Sequence, residues 1–353
     1  QEDDFGYDIY QLQDKALAND YTVSIPTGID MLDETLGGGL DKGKLGLLIA
    51  PAGFGKTSFT TAIDSYAATH KCDMNNHMGY KVLQIYFEDD DVDITRKHYS
   101  RITQTEARFM KRLDKPERDE ITELLNNHPD KELLRQNLRL KHFKTGTKSA
   151  SDIEIFVKRL INSGFKPDLI SIDYFECLAP EKGGYSTDTE WTREGVTMRK
   201  LENMAKDLDC AIWVPTQGTK DSMNSPEVVR MDQASGSAKK VHVAQLILSI
   251  ARAIDDIDKS RAVIGILKNR SGKSGKVFNN VYFDNGTCTI SCKDTQEFDN
   301  GLAWEEESER IREENRIKNV RYIASLSSNN EKTKVEGNLV GTINDDFGPN
   351  TEF

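Results

Sequence analysis

The chain has 353 residues, of which 37% are hydrophobic and 30% charged, and its formal net charge is −11. That length accommodates one large α/β domain or two small ones, and no apolar run approaches the ~20 residues needed to span a bilayer. The negative balance excludes a protein that coats nucleic acid with its whole surface, but not one that binds DNA through a few local loops.

The chain begins at Gln1 with no visible signal peptide, so it reads as trimmed at its start, and an N-terminal domain could precede it. Residues 5–19 place Tyr7, Ile9, Tyr10, Leu12 and Leu17 at roughly helical spacing, which predicts a short amphipathic element before the core. Then come Ile25-Pro26-Thr27-Gly28-Ile29-Asp30-Met31-Leu32-Asp33 and Gly37-Gly38-Gly39. The apolar run Leu45–Ile49 predicts a strand, and Ser58–Ile63 the first turns of a helix. A second strand is expected over 81–87, ending at Glu88. Residues 93–138 are charge-rich, free of glycine and helical in pattern, and 138–143 reads as a strand.

The segment Asp168–Asp173 is a mainly aliphatic run with an acid at its end, the signature of a buried strand. Further strands are expected over 210–215, 245–251 and 261–268. A hairpin of 277–283 and 287–292 should turn at Asp284-Asn285-Gly286. Residues 303–324 read as one charged helix, and 326–353 as a polar, disordered tail. No internal repeat is apparent. Strands alternating with helical patterns imply an α/β fold, a mostly parallel sheet flanked by helices. The five cysteines are an odd, scattered set, which argues against a disulfide framework and for a reducing compartment. Cys288 and Cys292 would share a strand face, but without a nearby histidine or a second pair they make a poor metal site.

Between the first strand and its helix stands Ala50-Pro51-Ala52-Gly53-Phe54-Gly55-Lys56-Thr57. Strand, glycine-rich turn and helix form the context in which backbone N–H groups converge on an anion. Residues Ala52, Gly53, Phe54, Gly55, Lys56, Thr57 and Ser58 are expected to bind a nucleoside triphosphate. Lys56 would reach the β- and γ-phosphates, and the Thr57 hydroxyl would hold Mg²⁺. Ala50 replaces the usual first glycine, which Gly53 and Gly55 make tolerable. The competing reading is a chance glycine-rich loop.

Four other features complete a hydrolysis site. Asp173 ends a buried strand, where its carboxylate could fix Mg²⁺ through water; otherwise it is a strand-terminal cap. Glu88 could act as general base on the attacking water, although Glu88-Asp89-Asp90-Asp91 could equally be a solvated acidic loop. Gln217 could sense the γ-phosphate without adding charge. Lys268 and Arg270 leave a buried strand together and call for an anionic partner, either a neighbour's γ-phosphate or surface carboxylates.

The order of these segments resembles the ATPase domain of DnaB-family replicative helicases, within the RecA-like P-loop fold, and the phage helicases of the T-even type above all. The matching stretches are Pro26–Asp33 with Gly37-Gly38-Gly39, the phosphate loop, Tyr86-Phe87-Glu88, Ile172-Asp173-Tyr174, Pro215-Thr216-Gln217, Ser235-Gly236-Ser237 and Lys268-Asn269-Arg270. Together they span roughly residues 22–292. The resemblance implies ATP (or another NTP) and Mg²⁺ as cofactors, Glu88 as catalytic base and Asp173 as the Mg²⁺-organising acid. It makes Gln217 the sensor linking ATP to DNA, and Lys268 and Arg270 the residues that complete an adjacent subunit's site. The loop Gln233–Ser237 would follow single-stranded DNA in a central channel.

The resemblance further implies a homo-hexameric ring, 5′-to-3′ translocation, a primase, loader or polymerase as partner, no membrane, and the cytoplasm of a bacterium or phage-infected host. In its terms residues 1–21 are a helix and linker for subunit packing, 22–295 the ATPase domain with its C-terminal hairpin, 296–325 a charged helix and 326–353 a tail. There are departures. Gln233 and Ala234 stand where bacterial relatives have arginine and glutamate, so DNA contact would fall to backbone N–H groups and to Lys239 or Lys240, with Lys220 a further candidate. Gln245 replaces an aspartate. The helicases' separate N-terminal domain is not among these residues. The alternatives are a RecA- or KaiC-like ATPase, and a non-unwinding ATP-dependent loader or scaffold.

Overall fold

A strand covered by helices on both faces shows no polar alternation, because every side chain is inside. The computed structural model describes residues 10, 12–18, 22–181, 190–219, 230–233, 238–253, 256, 259–292 and 310–317. A two-residue ladder, β1 (Ser24–Ile25) with β2 (Leu40–Asp41), precedes the main sheet. That sheet comprises β3 (Leu45–Ala50), β4 (Val82–Tyr86), β5 (Leu138–His142), β6 (Leu169–Asp173), β7 (Ala211–Gln217), β8 (Leu246–Ala251), β9 (Arg261–Asn269), β10 (Val277–Asp284) and β11 (Thr289–Cys292). Its nine strands lie in the order β11-β10-β9-β8-β3-β7-β6-β4-β5. The run from β8 to β5 is parallel, and β9, β10 and β11 add antiparallel at one side. Every residue of β3, β4, β6 and β8 is buried, as their aliphatic character demands. The edge strand β5 is only half-buried and carries Arg139 and Lys141, charges that discourage pairing with another chain.

The helices are α1 (Gln13–Leu17), α2 (Asp30–Leu36), α3 (Lys56–Thr69), α4 (Asp91–Thr103), α5 (Lys115–Asn126), α6 (Lys131–Asn137), α7 (Ala150–Asn162), α8 (Glu190–Leu208) and α9 (Ala238–Val243). Alternate residues of β3 feed two cores. Leu48 and Ala50 pack with Phe59, Ala62 and Ile63 of α3 and with Phe278 and Phe283 of β10. Leu45, Leu47 and Ile49 meet Ile153 and Val157 of α7 and Met198, Leu201 and Met204 of α8. Each such aliphatic side chain contributes ~1.5–3 kcal/mol on burial. Trp213 of β7 is 1% exposed and meets Phe59 edge-on, with ring centroids 5.8 Å apart. Its register partner on β3 is Gly46, where a Cβ would collide with the indole. Glycine makes room for tryptophan there.

The helical stretch expected over 93–138 divides into α4, α5 and α6. Gln104 ends α4 in the left-handed conformation (φ 57°). Asp114 restarts the helix with a capping box: it accepts the Glu117 N–H while the Glu117 carboxylate accepts the Asp114 N–H, each at 2.9 Å, with Pro116 in the first turn. The hairpin turns one residue later than expected, because Asp284 stays in β10 and its carboxylate accepts the Gly286 N–H and Thr287 hydroxyl. Cys288 falls in that turn with φ 51°, so it does not share a strand with Cys292. Of the N-terminal element, Gln13–Leu17 is helical and exposes Leu17. Residues 310–317 are helical, with Ile311 against Tyr282. The expected tail, 326–353, lies outside the described residues.

Candidate nucleotide site

The parallel strands change direction of travel at β3. From β3 the chain crosses through α3 to β4, three strands away, then works back to place β7 on one side of β3 and β8 on the other. A crevice opens outside the carboxyl ends of the strands at such a switch point, and ligands bind there. The phosphate loop occupies it. Gly53 (φ 79°) and Gly55 (φ 99°) are left-handed, and a Cβ on Gly55 would also strike Asn285 and Phe283 of the hairpin. Helix α3 begins at Lys56, so the free N–H groups of its first turn face the loop. Phe54 is buried and anchors the loop in the core, and Ser58 is buried with its hydroxyl toward the Asn285 carbonyl. Ala52, Phe54 and Ser58 therefore offer an anion their backbone, while Lys56 and Thr57 offer side chains.

Asp173, at the end of β6, is 5% exposed. It accepts a hydrogen bond from Thr57, and its Oδ1 is buried with no hydrogen-bond partner among the described residues. Burial pushes its carboxyl up to about 6, against the pull of the Thr57 hydroxyl and of Lys97 and Lys56. A buried carboxylate oxygen with unspent lone pairs, beside a hydroxyl, is a donor set suited to a hard divalent cation such as Mg²⁺. Burial lowers the Lys56 ammonium, and Asp173, Glu176 and Glu88 oppose that shift. Its Nζ lies 5.1 Å from the centre of the Tyr174 ring, and the Tyr174 hydroxyl donates to Glu88 at 3.1 Å.

The acidic run after β4 sorts itself by partner. Asp89 pairs with Lys97 at 2.6 Å, Asp90 caps α4 through the Asp93 N–H, and Asp91 accepts the Tyr86 hydroxyl. Glu88 is exposed beside Tyr174 and Lys56. Three acids serve structure, and the fourth faces the crevice. Gln217 is the last residue of β7, paired in register with Ala50, where the phosphate loop begins.

Glu176 is a site residue that sequence reasoning overlooks. It lies in the turn after β6, accepts the Thr216 hydroxyl, and faces the Gln217 N–H at 3.4 Å. The one signal is an acid inside the otherwise apolar Tyr174-Phe175-Glu176-Cys177-Leu178, directly after the Asp173 strand. Its carboxylate meets Lys240, which corrects an expectation. Lys240 does not line a DNA path; its side chain is 0% exposed and its Nζ stands 3.0 Å from both Glu176 and Glu194. Gln245 uses both ends of its amide, accepting the Leu45 N–H and donating to Glu202, which an aspartate could not do.

Lys268 and Arg270 are not beside their own phosphate loop. β9 runs antiparallel to β8, so Asn269 pairs with Leu246 at the amino ends of the parallel strands, opposite the loop. There Lys268 donates to the Val241 and His242 carbonyls, and Arg270 to His242, each at 2.9 Å. Within the subunit their partners are thus neither phosphate nor carboxylates but backbone carbonyls at the C-terminal end of α9. Gln233 accepts the Arg230 and Thr219 N–H groups through its side chain and carbonyl respectively. Lys220 and Ser235–Ser237 lie outside the described residues, as does the side chain of Lys239.

A family model described as DnaB-like helicase C-terminal domain matches residues 24–289. Among solved structures, a DnaB-like replicative helicase, described with its interactions with primase, is similar with a TM-score of 0.64 at 16% identity. That match covers 81% of this chain and 65% of the other, so the chain spans just under two thirds of that relative. The ATPase domain of a phage helicase gives a TM-score of 0.62 at 15% identity, covering 80% of this chain and 95% of that one. At such identities the likeness establishes the fold. A comparison with curated proteins finds no match. Among the described residues no helix is long and apolar enough to cross a membrane.

Proposed function

The chain belongs to the DnaB-like helicase C-terminal domain family, and from that premise we propose that it is the motor of an ATP-driven replicative DNA helicase. In this reading it forms a homo-hexameric ring in the cytoplasm of a bacterium or phage-infected host and moves 5′-to-3′ on single-stranded DNA. The observation that supports the reading is that the two groups of residues lie at opposite ends of the strands. Lys56, Thr57, Asp173 and Glu88 gather at the carboxyl ends of the parallel strands, and Lys268 with Arg270 at their amino ends. A subunit so built cannot complete its own site, but a head-to-tail neighbour can.

Thr57 and Asp173 would hold Mg²⁺, which when bound offsets the charge of the phosphates. The loop N–H groups and Lys56 bind the β- and γ-phosphates. Glu88 takes a proton from water as its oxygen bonds the γ-phosphorus and the bond to ADP breaks. Arg270 of the adjacent subunit stabilises the charge that develops, and Gln217 registers whether the γ-phosphate is present. DNA contact falls to Lys220 and Lys239 and to the backbone of Gln233–Ser237. Residues 1–21 serve subunit packing, 22–295 form the motor, and the segments 296–325 and 326–353 offer docking to a primase, loader or polymerase. The deciding experiment is unwinding of forked DNA with 5′ or 3′ tails, with particle mass measured with and without ATP. A hexameric mass and unwinding from the 5′ tail are expected. ATP hydrolysis with strand exchange but no unwinding would transfer the chain to the recombinase-like ATPases.

A further inference from the structure

We propose that Lys240 is a positioning residue that couples a subunit's own nucleotide site to the cations it offers its neighbour. This rests on the ring-helicase reading above.

Three observations meet on α9. The first is the buried ammonium. An ammonium taken wholly out of water is tolerable only while its countercharges stay in place. Among the described residues the Lys240 Nζ meets Glu176 from the turn after β6 and Glu194 from α8, and lies 4.5 Å from the centre of the Phe175 ring. The N-terminal half of α9 is therefore pinned to Glu176. The second is what else Glu176 touches. The same carboxylate receives the Thr216 hydroxyl, faces the Gln217 N–H, and contributes to the electrostatic field at Lys56. A γ-phosphate arriving between Lys56 and Gln217 brings negative charge toward Glu176, whose carboxylate already faces both Lys56 and Lys240. It acts on Glu176 directly.

The third is the far end of α9. Six residues make a helix about 9 Å long, too short to bend, so displacement of one end moves the other. Its final carbonyls, on Val241 and His242, hold Lys268 and Arg270. Arg270 must leave the His242 carbonyl to reach a neighbour's phosphate. Lys240 thereby links occupancy of one site to release of the cation for the next.

The test is a double-mutant cycle on DNA-stimulated ATP hydrolysis by the full chain, using Lys240→Met and Arg270→Lys. The arginine variant keeps the charge, so rates stay measurable. Lys240→Met should lower kcat roughly tenfold with KM for ATP within about twofold, and Lys240→Arg should recover most of the loss. The double variant should be no slower than the slower single variant, because both act on one step. Multiplicative losses, an unchanged kcat, or a change confined to KM would each overturn the proposal. Should Lys240→Met fail to fold, as read from its thermal transition, Glu176→Gln replaces it in the cycle under the same criteria. Absence of hydrolysis by the wild-type chain would instead overturn the helicase reading.

Discussion

Replacing Asp173 by asparagine should stabilise the nucleotide-free protein while abolishing turnover. The carboxyl is 5% exposed and is pushed from an ordinary 3.8 up to about 6, chiefly by burial. At neutral pH it is nevertheless ionised, at a cost of about 3 kcal/mol relative to the unfolded chain. Asparagine has the same shape, can still accept the Thr57 hydrogen bond, and carries no such cost. The sign follows from proton counting. Below about pH 3.8 both folded and unfolded wild-type chains hold the proton, and the charge penalty is absent. Between there and pH ~6 the unfolded chain has lost the proton and the folded one has not, so wild-type stability falls as pH rises. The advantage of Asp173→Asn should therefore grow from pH 4 to 6 and stay level above that. Thermal melts in EDTA across pH 4–8 measure it, and a gain of a few degrees at pH 8 is expected. Saturating Mg-ATP should then raise the melting temperature of the wild type more than that of the variant. A variant less stable than wild type at pH 8, or a gain independent of pH, would refute the assignment of Asp173 as a buried charge awaiting a cation.

Glu88→Gln should retain nucleotide binding, read by titration with a fluorescent analogue, and lose roughly 10²–10⁴ in turnover, because it removes a base and not a phosphate contact. Turnover at the wild-type rate would return attention to Asp89–Asp91, despite their structural partners. Mixing Arg270→Ala with Lys56→Ala subunits, each inactive alone, should restore activity at interfaces that combine an intact loop with an intact arginine, a cation typically worth ~10³–10⁵ in rate. Complete absence of rescue in rings confirmed as mixed by mass would remove Arg270 from the neighbouring site. Alanine at Lys220 and Lys239 should weaken single-strand affinity and flatten its salt dependence by about one unit of slope per lost phosphate contact. An unchanged slope would place the DNA elsewhere.

What the sequence discloses about this molecule depends on how far apart the deciding residues lie. β3, β4, β6 and β8 are legible because burial on both faces leaves unbroken aliphatic runs, and the phosphate loop because all its parts are contiguous. The break between α4 and α5 is readable in the Asp114-to-Glu117 box, but the wider charge pattern conceals it. Lys240 misleads because its environment is not local. On a basic stretch beside an expected DNA loop a lysine reads as a surface charge, while its partner Glu176 stands 64 residues away. The acids after β4 are ambiguous for a related reason. Their separate duties are set by Lys97, Tyr86 and the amide of Asp93, and only the fold says which acid each one meets.

The central position of β3 also governs how the molecule comes into being. β3 is made early, yet the strands that flank it are β7 and β8, and Leu45 bonds to Gln245, 200 residues downstream. At ordinary elongation rates of ~5–20 residues per second, β3 has no neighbour until β7 is made and lacks its second until β8 follows, an interval of about 10–40 s in all. During that interval it can pair with strands of other chains, so production at high concentration should depend on sheltering by chaperones. Even then the phosphate loop is unfinished, because Asn285 and Phe283 close against Gly55 only when the hairpin emerges. A chain cut short before that hairpin lacks the packing of Asn285 and Phe283 against Gly55 and should bind nucleotide more weakly than the full chain.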